Sequence, residues 1–329
     1  MSPAGLGVAR TWAACSAACL AVLSACGSGT TSGAGVAGRW QAAGTMSIAR
    51  TAETATTLPS GKVLVAGGLG PGDKSLTSAE IYDPAARTWT ATANMSVPRD
   101  SATATLLRNG TVLVAGGNGA PGGTPWDTAE IYDPSAGLWT KTGKMTTARD
   151  TDTATLLRDG RVLVAGGSGH SSGLLATAEI FDPATGAWTA TGSMAVARGG
   201  HTATLLSDGR VLVTGGFADV HTGNGVDTAE LYTPATGTWS PAGSMAEARA
   251  GHAALLLKDG KVLVAGGAVS AAGALDSAEI YAPATGRWST TGSLLVARSF
   301  FTLTLLSDGR VLAVGGFGAS GSAVAPAEV

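Results

Sequence analysis

The feature that most constrains this chain is that it repeats itself. A Gly-Gly pair closes an apolar run at Gly67-Gly68, Gly116-Gly117, Gly166-Gly167, Gly215-Gly216, Gly266-Gly267 and Gly315-Gly316, at spacings of 49, 50, 49, 51 and 49 residues. Three other positions recur with it. A Trp returns at Trp40, Trp89, Trp139, Trp188, Trp239 and Trp288. An Arg returns at Arg50, Arg99, Arg149, Arg198, Arg249 and Arg298, and a Glu at Glu80, Glu130, Glu179, Glu230, Glu279 and Glu328. A unit of this size cannot bury its apolar face alone, so copies must stack on one another and share a core.

Each unit reads as four strands. Strand a is a run such as Thr202-Ala203-Thr204-Leu205-Leu206, followed by Asp208-Gly209 or, in another copy, Asn109-Gly110. Those dipeptides suit the positive φ angles of a two-residue hairpin. Strand b (Val-Leu-Val-Ala before the Gly pair) is apolar on both faces, as a strand buried between two neighbouring sheets should be. A longer connection leads to strand c, Ala-Glu-Ile-Tyr in its commonest form. A turn of the Asp-Pro-Ala-Thr-Gly type then gives strand d, which carries the Trp.

The double glycine, the downstream Tyr and Trp and the fifty-residue period resemble the kelch repeat, and the resemblance covers residues 39–329. It implies an all-β, six-bladed kelch-type β-propeller with a central channel. The segment Arg39-Trp40-Gln41 looks like a strand d without a, b or c, while the last unit has a, b and only the start of c (Ala327-Glu328-Val329). The N-terminal strand d is therefore expected to complete the last blade and close the ring, removing open sheet edges.

The N-terminus reads as a targeting segment. Arg10 precedes an apolar stretch, Thr11 to Ala25, too short to span a bilayer comfortably. Leu23-Ser24-Ala25-Cys26 resembles a bacterial lipobox, which implies acylation of Cys26 and export to the cell envelope. The organisation expected is residues 1–25 as lipoprotein signal peptide, 26–38 as a Gly/Ser/Thr-rich tether, and 39–329 as propeller. Cys15, Cys19 and Cys26 are the only cysteines, so the propeller holds none and no disulfide is expected there. With 21 basic and 23 acidic residues the chain has no electrostatic footprint for nucleic acid.

Residues present in every copy point to architecture: the six Trp as filling between blades, and each Arg paired with a Glu at one end of its blade. A ring of Arg lining the channel mouth is the alternative. The b–c connections are long and differ between copies, while the a–b and c–d turns are short and alike. In an up-and-down blade, b–c and d–a emerge on one face, which becomes the expected binding face. His170, His201, His221 and His252 all fall there. The position three after the repeated Arg holds Glu53, Ala102, Asp152, His201, His252 and Phe301, a mixed ring that could take a polar ligand or, less readily, a metal. Trp126, beside Asp127 in a b–c loop, could stack on a sugar or anchor a partner; packing within the loop is the plain alternative.

Gly117–Gly122 matches G-x-G-x-x-G and Gly169–Gly173 matches G-x-S-x-G, but neither leads into a helix, so phosphate cradle and nucleophile elbow are both excluded by context. Three functional readings follow. The first is an envelope-anchored binding or scaffolding module for a protein or glycan, without cofactor or metal. The second is a sugar-binding or epimerase/mutarotase-like enzyme, resembling a six-bladed periplasmic sialic acid mutarotase, with Glu53, Asp152, His201 and His252 as acid–base groups. The third is a surface protein with no specific ligand. Galactose-oxidase-like kelch enzymes use a copper ion and a Tyr cross-linked to Cys, and the missing propeller Cys argues against that chemistry.

Overall fold

The computed structural model describes residues 42–120, 123–169, 173–219, 222–270 and 273–329. Cys26 and Trp40, with the signal, the tether and the proposed closing strand at 39–41, lie outside the described residues, as do His170 and His221. The described chain is all-β, with no helix.

Five repeats each form a four-stranded antiparallel sheet in the order a-b-c-d. In repeat 3 the strands are Thr153–Leu156, Val162–Ala165, Ala178–Asp182 and Ala187–Ala190. Repeat 6 pairs Thr302–Leu305 with Val311–Val314. Its Glu328 bridges to Ala313, matching the register of Glu279 on Val264 in repeat 5.

Strand b explains the stacking. Every residue of Val112–Ala115, Val162–Ala165 and Val211–Thr214 is buried. Side chains alternate across a strand, and here both sides are used. Val112 and Val114 of repeat 2 pack with Leu64 and Ala66 of repeat 1. Leu113 and Ala115, on the other face, pack with Val162 and Val164 of repeat 3. The core is thus divided into layers between successive sheets, and each buried Val or Leu contributes on the order of 1.5–3 kcal/mol.

The repeated Trp extends each layer outward. Trp139 stacks tilted on Tyr132 with ring centroids 5.0 Å apart, and the other described copies keep the same arrangement at 4.9–5.0 Å. The indole N–H reaches into the preceding repeat, donating to the carbonyl of Ala93 from Trp139 (2.8 Å) and of Gly192 from Trp239 (2.7 Å). Each Trp therefore joins two sheets with its ring and its N–H together.

The a–b hairpins differ from the expected two-residue form. Leu157 and Arg161 still pair across the turn, leaving three residues between them, and the Gly160 N–H closes on the Leu157 carbonyl at 3.0 Å. Of the Asp-Gly pair only Gly160 has positive φ (91°). A two-residue type I′ turn needs positive φ at both central residues, whereas the three-residue loop needs it only at its Gly. The Asp159 carboxylate instead accepts the Arg161 N–H at 3.1 Å, the local bond that favours Asp in turns.

Candidate functional site

At the end of the sheets where b–c loops and d–a connections meet, the repeated Arg and Glu are paired in all six copies, at 2.5–3.2 Å. The Arg side chains are 0–1% exposed. Arg149 shows the arrangement. Nη1 donates to the carbonyls of Gly166 (2.7 Å) and Thr177 (3.1 Å), and Nη2 to Thr177 Oγ1 (3.3 Å) and Glu179 (3.0 Å). Glu179 in turn accepts the backbone N–H groups of Thr146 and Thr147. The guanidinium clamps the Gly pair to strand c, and the carboxylate clamps the incoming d–a segment. These arginines lie inside the blades and do not line an open mouth.

Just after each Arg pair the chain passes through a strained step. Ala52, Ser101, Thr151, Gly200, Gly251 and Phe300 all have φ between 51° and 60°. Four of the six are not glycine, although this region is unfavourable for residues with a Cβ. They are linked along an arc by backbone hydrogen bonds, in which each amide donates to the carbonyl of its counterpart one repeat earlier: Ser101 to Ala52, Thr151 to Ser101, Gly200 to Thr151, Gly251 to Gly200, Phe300 to Gly251. Recurrent bonding of this kind holds the left-handed turn in place.

That turn decides where the next side chain points, and it corrects the expectation of an open polar ring. Asp152, His201 and His252 are only 6–7% exposed. Each points back into the preceding repeat. His201 Nε2 shares a hydrogen bond with Thr153 Oγ1 (3.0 Å), and His252 Nε2 with Thr202 Oγ1 (2.9 Å) and Thr214 Oγ1 (3.0 Å). Their ring edges lie over Gly166 and Gly215, where an added Cβ would come within 2.6 and 2.7 Å. Phe301 fills the corresponding place over Gly266. Burial, reinforced by the neighbouring Arg198 and Arg249 guanidiniums, pushes His201 and His252 down to about 3, so both rings are neutral. Burial raises Asp152 to about 7 against the pull of Arg149. Glu53 is half-buried at the same position. Asp152, His201 and His252 sit between adjacent sheets, and of the four acid–base candidates only Glu53 keeps partial exposure.

A second polar group escaped the sequence reading. Asp100 and Asp150 follow Arg99 and Arg149 directly, where the other repeats have Thr51, Gly199, Ala250 and Ser299. That departure from the repeat was the available signal. Both are buried, at 3% and 7% exposure. Asp100 accepts from Ser75 Oγ (2.5 Å), and Asp150 accepts from Asn118 Nδ2 and Thr151 Oγ1. Burial raises both carboxyls, Asp150 to about 6, with Asp100 adding a smaller repulsion. Among the described residues no group of three or more His, Cys, Asp or Glu side chains is arranged to hold a metal ion.

Trp126 is half-buried and tied down. Its ring covers Gly119, where a Cβ would approach within 2.7 Å, and its indole N–H donates to the Pro98 carbonyl at 2.8 Å. It braces its loop and stays partly exposed. The b–c loops also differ in form. Repeats 1 and 3 add a small hairpin, Leu69–Gly70 with Lys74–Ser75 and Ser168–Gly169 with Gly173–Leu174.

With this geometry in hand, comparison with known proteins is direct. A model described as the KLHDC2/KLHL20/DRC7 Kelch-repeats domain matches residues 101–316, and a Kelch motif model matches residues 50–96. The chain belongs to the kelch-repeat family. Among solved structures the kelch chain resembles one described as "Structure of YjhT", at 19% identity and a TM-score of 0.66, covering 85% of this chain and 94% of that one. At that identity the likeness speaks for the propeller fold alone. No curated protein matches the sequence.

Proposed function

We propose that this kelch protein is an envelope-anchored binding or scaffolding module, whose partner docks on the face made by the b–c loops and d–a connections. The observation that carries the reading is the contrast between its two faces. The a–b and c–d turns repeat nearly unchanged, while loops of different length and form are gathered on the opposite side of a rigid scaffold. Binding residues concentrate on such loops. Export and acylation at Cys26 follow from the lipobox resemblance. No helix among the described residues is long and apolar enough to cross a membrane.

The same proposal holds the propeller to six blades, with residues 39–41 serving as strand d of the sixth. Two contacts support it. Trp89 donates to the Ala43 carbonyl at 3.0 Å, as Trp139 does to Ala93. The Ser47 N–H donates to Glu80 at 2.9 Å, as Ser96 does to Glu130. The segment that begins at residue 42 thus takes the place that the end of a strand d takes in other repeats.

A photo-crosslinking residue placed in living cells at Thr222 or Asp276, both exposed on the loop face, tests the function. The same residue at Asn109 or Ser307 serves the turn face. The expected result is a discrete adduct from the loop-face positions and none from the turn face. Adducts from the turn face alone, or from neither, overturn the reading.

A further inference from the structure

The overall formal charge of −2 hides a strong polarity. The Arg–Glu pairs are internally neutral and can be set aside. The loop face then carries ten acidic residues against two basic ones, Lys74 and Lys144; three of the ten, Asp100, Asp150 and Asp152, are buried with raised carboxyls, so the other seven set its charge. The opposite face, built from the a–b and c–d turns, carries ten basic against seven acidic. Four of those seven are neutralised within their own turn: Asp159 by Arg161, Asp208 by Arg210, Asp259 by Lys261 and Asp308 by Arg310, at 2.7–2.9 Å. Asp83 is held by Lys62 at 3.1 Å. Among the described residues Arg108, Arg158 and Lys258 have no carboxylate at ion-pair distance, and all three are exposed. Each stretches along the inner rim to a carbonyl of the next repeat: Arg108 to Arg158, Arg158 to Ser207, Lys258 to Ser307. The result is an arc of unneutralised cations on the turn face.

The chain itself enters from this side. Gly44 lies against the carbonyl of Arg87, which is in a c–d turn, with Trp89 beside it. From there the segment runs up to Ser47, which meets Glu80 at the loop end. The described chain therefore begins beside the turn face, and a tether fixed at Cys26 would pull that face toward whatever holds it.

We infer that the turn face of the propeller lies against an anionic lipid surface, with the loop face held outward. The inference rests on the envelope-anchored reading for the tether, and adds an orientation that the tether alone does not set. Near an anionic bilayer, juxtamembrane cations are attracted and clustered carboxylates repelled, within about one screening length. A disc with cations on one side and surplus acid on the other experiences both forces in the same sense. A lipid chain plus a basic patch is a recognised two-part anchor.

The test uses the full acylated chain, reconstituted into vesicles of phosphatidylglycerol and phosphatidylcholine or of phosphatidylcholine alone. The described propeller residues include no Cys, so Ser207→Cys on the turn face and Thr222→Cys on the loop face each accept a single fluorophore. A nitroxide on the lipid headgroups should quench the label at 207 several-fold more than the label at 222 in the phosphatidylglycerol vesicles. That contrast should vanish in Arg108→Glu/Arg158→Glu/Lys258→Glu, with the protein still floating with the vesicles. Equal quenching at the two sites, or a contrast unaffected by the triple variant, overturns the inference. An unchanged melting temperature of the variant shows that folding is not the cause.

Failure of the anchor looks different: Cys26 reacts with a thiol reagent and the chain does not float. Sedimentation of that unacylated chain with the phosphatidylglycerol vesicles then decides. Binding that weakens about fivefold per removed cation, and is lost in about 1 M salt, retains the surface; no binding at low salt overturns it.

Discussion

Two rows of side chains lie one turn apart at the loop end of every blade, and they are built on opposite plans. The Arg row is the same in all six repeats, and its Nη groups are paired with carbonyls and a carboxylate, the Nε of Arg50, Arg99, Arg149 and Arg249 being left without a partner. The row three residues later holds Glu, Ala, Asp, two His and Phe. Asp152 Oδ1, His201 Nδ1 and His252 Nδ1 there have no hydrogen-bond partner. The Arg and its Glu lie in one repeat, so any copy of the sequence carries the ion pair, and the backbone amides that the Glu also accepts come from the end of the preceding repeat. The second row fills a gap whose other wall belongs to the preceding repeat. It is therefore selected for volume and tolerates several chemistries, as long as the group is neutral when buried.

The largest expected effect is in the first row. Arg149→Met leaves Glu179 buried without its cation, which costs about 3–5 kcal/mol. A fall in Tm on the order of 10 °C is expected by calorimetry. A shift of a degree or two would mean that the backbone amides of Thr146 and Thr147 suffice to hold the carboxylate, and the contrast between the rows would be lost.

Asp152→Asn is the next in size. The folded carboxyl, raised to about 7, holds its proton where the unfolded one, near 3.8, has lost it. Asp152 therefore favours folding below about pH 3.8, and that contribution is lost as pH rises to about 7. The Asn variant should be more stable than the parent above pH 7, by up to about 4 kcal/mol for a carboxyl raised from 3.8 to about 7, with little difference in acid. Urea melts at several pH values would show it, and a variant less stable at pH 8 would refute the account.

The smallest effect belongs to His252→Phe, which copies repeat 6 into repeat 5. Thr202 and Thr214 still bond each other at 2.7 Å, so the loss should stay within about 1.5 kcal/mol at neutral pH. The wild-type ring has its pKa lowered from 6.5 to about 3, so its contribution is present above 6.5 and lost as pH falls toward 3. The Phe variant should lose less stability on acidification. A loss above about 3 kcal/mol at pH 7 would show that the row depends on specific polar contacts rather than on shape.

Most of the fold was legible in the sequence because repetition multiplies every weak signal. The strand order, the buried b strand and the Arg–Glu pairing are all visible from six aligned positions. The direction of Asp152, His201 and His252 was not. It depends on the left-handed residue before each, which is Gly200 and Gly251 for the two His but Thr151 for Asp152, and with Ala52, Ser101 and Phe300 at the equivalent places no common residue type announces the turn. The acidic pair Asp100 and Asp150 was hidden for the opposite reason, since attention to what repeats passes over what does not. The polarity of the two faces was invisible in the net charge, and emerges only when each residue is assigned to a turn or a loop.

The closed bookkeeping of the Arg–Glu network also bears on how such a molecule could have arisen. Arg50 finds Gly67, Ser78 and Glu80 before Arg99 begins the next set. A stretch of gene cut between two such arginines and copied in tandem would carry each buried cation together with its own counter-ion. Every duplicate would bring its ion pair complete, and the apolar seams, the Trp contacts and the backbone amides offered to each Glu would be what a new neighbour supplies.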